Sequence, residues 1–211
     1  MDKSTVMSYW FYFLNLEHDF EETARYVEHT FESVDYKINN QDYNHSNKYT
    51  YSIEFAKIIM STCAEVDILL RELCKIVRPE SLNSCQANIH KYGSIILSEI
   101  PKIIETNTTI RGRKIYPWMG WKYDGLDSRG HHIGTAPEWW RNYNNIKHNR
   151  ASYYKSANLI TSIESLSALL ILNIYLHYYN NMQPYPSPKY IDCSYLAKPI
   201  FTAFDMEIPT I

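Results

Sequence analysis

Helix-breaking residues are scarce in this chain and unevenly placed. There are six Gly and nine Pro in 211 residues; five of the Gly fall within residues 106–136, and the Pro crowd toward the end. Long stretches are therefore free to form uninterrupted helices, since nothing in them removes a backbone donor or favours a left-handed turn. With 45% hydrophobic and 21% charged residues, the chain has enough apolar material for one domain with a buried core. The expected fold is all-α, an up-down bundle of four to five helices.

Hydrophobic spacing places those helices. Over residues 16–37, Phe20, Ala24, Val27, Phe31 and Val34 recur every three or four residues among Glu21, Glu22, Arg25, Glu28 and Glu32, which predicts an amphipathic helix. Residues 38–50, rich in Asn, Asp and Ser, read as a loop. Residues 51–77 carry two apolar stripes, one through Ala56, Met60, Cys63, Leu70, Cys74 and Val77, the other through Ile59, Val66, Leu69, Leu73 and Ile76. Such a helix packs on two faces and is central, and Arg78-Pro79 ends it. A third helix is predicted over 85–105, with Pro101 as a kink or stop. Residues 106–136, with Trp118 and Trp121, read as a long irregular loop whose tryptophans dock on the bundle. Pro137, near Thr135 as a cap, opens a helix that can reach residue 180, with a bend or break at 148–151. Residues 1–183 form the domain, and 184–211 form a Pro-containing tail that wraps the bundle or reaches a partner.

Several functions are disfavoured by composition. The start of the chain lacks a basic stretch leading into an apolar core, and the apolar run 166–179 is short of the ~20 residues that cross a bilayer. A cytoplasmic protein without a membrane span is expected. Four cysteines without a C-x-x-C pair suggest reduced thiols. Neighbouring His131 and His132 lack a third ligand, and no glycine-rich phosphate loop occurs, so no metal or cofactor is expected. The net charge of -2 conceals an asymmetry: residues 111–155 hold nine basic against three acidic side chains, while the remainder is at -8. One basic segment on an acidic protein can bind a polyanion locally.

That segment contains Trp139-Trp140-Arg141-Asn142-Tyr143-Asn144-Asn145-Ile146-Lys147-His148-Asn149-Arg150. On a helix, seven residues turn about 700°, so Arg141 and His148 share a face about 10 Å apart along the axis. Asn145, Ser152 and Lys155 fall within about 40° of Arg141 if the helix continues. A packing stripe through Trp139, Ile146, Tyr153, Ala157 and Ile160 would then lie beside this polar strip, leaving room for a second helix to wall a cleft. Guanidinium grips phosphate oxygens in pairs and imidazole moves protons near neutral pH, a combination suited to phosphodiester chemistry without metal.

An Arg, a polar residue and a His after six intervening positions, on the last long helix of a bundle, resembles the R-x(4-6)-H motif of the HEPN superfamily of RNA-cleaving domains. The central segment Ala64-Glu65-Val66-Asp67-Ile68-Leu69-Leu70-Arg71-Glu72-Leu73 is similar to theirs as well. The resemblance covers roughly residues 15 to 180. It implies a metal-independent endoribonuclease, with a site shared across a homodimer and a 2′,3′-cyclic phosphate product. Many such proteins act in phage defence or toxin systems beside an antitoxin or other partner, and some bind nucleotide, RNA or protein without cleavage. By that resemblance, His148 is the acid/base, Arg141 the phosphate clamp and Asn142 the residue that positions them. Charge adds Lys147, Arg150 and Lys155 as contacts to neighbouring phosphates, with Asn145 beside them. Asp67 interrupts an apolar stripe and is expected to meet Arg141 or, four residues on, Arg71.

Overall fold

In a computed structural model, which describes residues 1–81 and 88–193, helices account for 60% and strands for 14% of the protein, so the class is mostly helical, as expected, with short strands added. Five α-helices among the described residues carry the core: α1 (Lys3–Glu22), α2 (Ile53–Val77), α3 (Ile89–Glu99), α4 (Glu138–Tyr153) and α5 (Leu159–Tyr179). Three two-stranded antiparallel hairpins complete it, β1–β2 (Ser33–Ile38, Gln41–Ser46), β3–β4 (Thr108–Ile110, Arg113–Ile115) and β5–β6 (Lys122–Leu126, His132–Thr135).

The first helix starts earlier than its periodicity suggests. Asp2 caps it by accepting the Thr5 N–H at 3.0 Å, and Val6, Trp10, Phe13, Leu16 and Phe20 form its buried face. It ends at Thr23, whose hydroxyl turns back to the Phe20 carbonyl at 2.7 Å. The predicted helix over 16–37 is thus corrected: its second half is a 3-10 turn followed by β1. Ser33-Val34-Asp35-Tyr36-Lys37-Ile38 also fits a strand, and Asn39 and Asn40 adopt φ of 52° and 61°, the left-handed pair that a tight hairpin requires and Asn tolerates. The predicted loop over 38–50 accordingly holds the hairpin turn, β2 and a 3-10 turn over Asn47–Tyr49.

The central helix is as expected. Ser52 caps α2 through the Phe55 N–H at 3.0 Å, its apolar residues are buried on two sides, and it packs against α1, α3, α4 and α5. Helix α3 begins at its Asn88 cap and stops before Pro101, which opens a 3-10 turn over Pro101–Glu105. Residue 85 lies outside the described residues.

The predicted irregular loop over 106–136 is two hairpins. Arg111-Gly112 supplies the left-handed turn between β3 and β4. In β6, a Cβ on Gly134 would lie 2.1 Å from the Lys122 carbonyl oxygen, so only glycine permits that close pairing. Trp118 and Trp121 dock on the bundle as expected, with ring centroids 4.8 Å apart and Trp139 edge-on to Trp118 at 5.3 Å.

The predicted continuous helix from Glu138 is broken where a break was anticipated. Asn149 has φ -149° and ψ 63°, a 3-10 turn covers Tyr154–Ser156, and Asn158 caps α5 through the Thr161 N–H at 3.1 Å. Pro137 occupies the cap position of α4. Helix α5 has the length and hydropathy to cross a membrane, but 83% of its apolar window is buried inside the fold against α1 and α2, which makes it the core helix.

The C-terminal segment wraps the bundle as far as residue 193. Buried Glu17 accepts the backbone N–H groups of Lys189 (3.1 Å), Tyr190 (2.9 Å) and Ile191 (2.8 Å). Trp10 donates to the Pro186 carbonyl at 2.9 Å, and Asp192 bridges to Thr109. Residues 194–211 lie outside the described residues.

Candidate functional site

Helix α4 presents a packed side and an open one. Trp139, Trp140, Tyr143 and Ile146 are buried. On the helical wheel these average about 190° from Arg141, so Arg141 and His148 stand on the crest that faces solvent. This corrects the expectation that the polar strip flanks the packing stripe: Tyr153, Ala157 and Ile160, which suggested it, lie beyond the Asn149 break and do not continue the same wheel. His148 is the residue immediately before the break, so the Arg141-to-His148 span remains one straight helical segment of about 10 Å rise.

Arg141, Lys147, His148, Arg150 and Lys155 are all exposed, and Asn145 is half-buried. No ion pair holds these cations among the described residues; Lys147 lies over the Tyr143 ring, 5.4 Å from its centroid. Asn142 is on another side, where its amide donates to the Thr161 hydroxyl at 3.1 Å and ties α4 to α5. The structure therefore brings Arg141 and His148 to one crest and gives Asn142 a different local partner. Asp67 pairs with Arg71 at 3.4 Å, the nearer of its two expected partners.

Two features escaped the sequence reading. Glu164, on α5, is partly buried; desolvation, and then the charge of Glu138 on α4, push its carboxyl up to about 7. Its only sequence signal is a lone carboxylate within an otherwise apolar helix. The second feature is a cleft of about 480 Å³ between α2, the start of α3 and the side of α4 carrying Trp140, Asn144 and Lys147. It joins residues distant in sequence and has no local signature.

His131 pairs with Asp127 at 3.2 Å while His132 meets the Tyr123 hydroxyl at 3.0 Å, and among the described residues no three His, Cys, Asp or Glu converge to hold a metal. Burial pushes the Cys63 thiol well up and that of Cys74 up to about 12, so neither is a ready nucleophile.

The fold and crest together define a mostly helical domain with an exposed Arg/His helix. No family model, curated protein or solved structure matches the chain.

Proposed function

We propose that the protein is a metal-independent endoribonuclease of HEPN type, in which the α4 crests of two copies form one composite site. The observation that carries this reading is the exposure of Arg141 and His148 on a straight segment opposite the packed side of α4. Among the described residues nothing covers the crest at Arg141 and His148, and a second copy would supply the opposite wall. Lys147, Arg150 and Lys155 extend the positive surface along the helix and past its break, as a bound RNA backbone requires.

The chemistry follows from the two side chains. His148 of one copy takes the ribose 2′-hydroxyl proton, the resulting oxygen attacks the adjacent phosphorus, and Arg141 binds the non-bridging oxygens as charge develops on them. The 5′-oxygen leaves and receives a proton from an imidazolium, giving a 2′,3′-cyclic phosphate and a 5′-hydroxyl end. Positioned proton transfer contributes about 10²- to 10⁴-fold in rate. Such an activity suits a cytoplasmic toxin or phage-defence effector that a protein partner restrains by covering the crest.

A second reading, an RNA-binding module without cleavage, is favoured by one observation: among the described residues no group orients the His148 imidazole by a hydrogen bond. Variants distinguish the two. Arg141→Ala and His148→Ala are expected to abolish cleavage while RNA affinity changes little, and light scattering is expected to show a dimer. Cleavage that survives both substitutions, or a strict monomer that cuts RNA, would refute the composite site.

A further inference from the structure

The cleft beside the crest is an open depression of about 480 Å³ in which the polar side chains of Asp67, Asn88, Asn144 and Lys147 surround Trp140 and Tyr143. Trp140 and Tyr143, with ring centroids 5.3 Å apart, form its aromatic side, and Lys147 connects it to the basic surface of α4. Its polar groups have a definite sense. Asn144 directs its NH₂ to the Trp140 carbonyl at 3.2 Å, which leaves the amide oxygen as an acceptor. Asn88 uses its oxygen to cap α3, at 3.0 Å from both the His90 and Lys91 N–H groups, which leaves NH₂ as a donor. Asp67 adds a carboxylate that lies 3.4 Å from the Arg71 guanidinium and beside the Tyr92 hydroxyl. The cleft thus offers acceptors at Asp67 and Asn144 and donors at Asn88 and Lys147, beside the small exposed parts of Trp140 and Tyr143.

That combination selects among nucleobases. A carboxylate accepts two parallel N–H bonds from the N1–H and N2 amino group of guanine, whereas adenine presents an acceptor at N1 and is repelled there. Asn88 matches the remaining acceptor edge of guanine, and a cation at the mouth matches its phosphate. We propose that this cleft binds a guanine base of single-stranded RNA, with Asp67 reading the base and Lys147 holding the adjoining phosphate. This deepens the nuclease reading by giving it a substrate preference, and its meaning for cleavage rests on that reading.

The test is titration of the intact protein with 3′-GMP and 3′-AMP, followed by tryptophan fluorescence. Trp140, 6% exposed, lines the cleft, while Trp10, Trp118, Trp121 and Trp139 are 2% exposed or less and do not line it. Quenching by 3′-GMP at lower concentration than by 3′-AMP is expected, and Trp140→Phe should remove the signal. Asp67→Asn, at a surface position, should lower the guanine preference by about 5- to 150-fold, the range for a two-bond base contact. Lys147→Ala should weaken both nucleotides alike and leave their ratio unchanged. Equal affinity for the two, absence of quenching by 3′-GMP at millimolar concentration, or an undiminished preference in Asp67→Asn would overturn the proposal. RNA cleavage without guanine selectivity would overturn it and leave the nuclease reading standing; guanine selectivity without cleavage would do the reverse.

Discussion

Replacing Glu17 by Ala removes the acceptor of three backbone N–H groups at once, those of Lys189, Tyr190 and Ile191 at 3.1, 2.9 and 2.8 Å. The side chain is only 3% exposed, so water does not readily take its place. Hydrogen bonds to a charged group contribute about 1.5–3 kcal/mol each, and three sharing one carboxylate are not additive, so a loss of about 3–5 kcal/mol is expected. For a chain of this size that corresponds to about 6–20 °C in Tm. Glu17→Gln retains one acceptor oxygen and should lose roughly half as much. Thermal melting gives the magnitude, and hydrogen exchange locates it: the Tyr190 and Ile191 amides should lose protection first while those of α5 keep theirs. A Tm change under about 2 °C in Glu17→Ala, or undiminished protection at Tyr190 and Ile191, would refute the view that this carboxylate fastens the C-terminal segment.

Two titrations are expected to have opposite signs. Burial holds His29 down at about 4, so the unfolded chain takes up its proton first; stability is full above about 6.5 and falls as pH drops toward 4, by on the order of 3 kcal/mol, and His29→Gln should flatten that limb in urea titrations. Glu164 is raised to about 7, so its effect runs the other way: stability falls as pH rises from about 4.5 to 7, and Glu164→Gln should melt higher than wild type above that window but not below it. Gly134→Ala should unpair β5 from β6 and cost about 2 kcal/mol or more by thermal melting, since its methyl group would meet the Lys122 carbonyl. Replacing Lys147, Arg150 and Lys155 together by Ala should lower the salt slope of single-stranded RNA binding by about 2, at about 0.7 for each phosphate no longer neutralised; an unchanged slope would remove these residues from the interface.

What could be read from the sequence was what local chemistry decides. The two stripes of α2 and the Arg78-Pro79 stop were visible because burial on two faces and the loss of a donor leave direct marks in the residue pattern. The break after His148 was legible only as a region, because Asn149 has no breaker chemistry of its own. The periodicity of residues 16–37 was misleading: Phe20, Phe31 and Val34 suit a helix, but the Thr23 hydroxyl ends α1, and β1 gains backbone partners from β2 that a helical reading does not consider. The hairpins in 106–136 depend on pairing across turns, and their Gly residues signalled turns without saying which strands meet. At the site, the spacing of Arg141 and His148 was legible because it is helical arithmetic. The direction of Asn142 toward Thr161, the burial of Glu164 and the cleft at Asp67 come from packing between separate helices, which spacing along one helix cannot reveal.

The central claim is that His148 and Arg141 cut RNA without a metal. Total RNA incubated in excess EDTA with wild-type protein or with His148→Ala, followed by end-group analysis, tests it most directly. The account predicts 2′,3′-cyclic phosphate ends from the wild type alone. Intact RNA with the wild-type protein, 3′-hydroxyl ends, or equal cleavage by His148→Ala would contradict it.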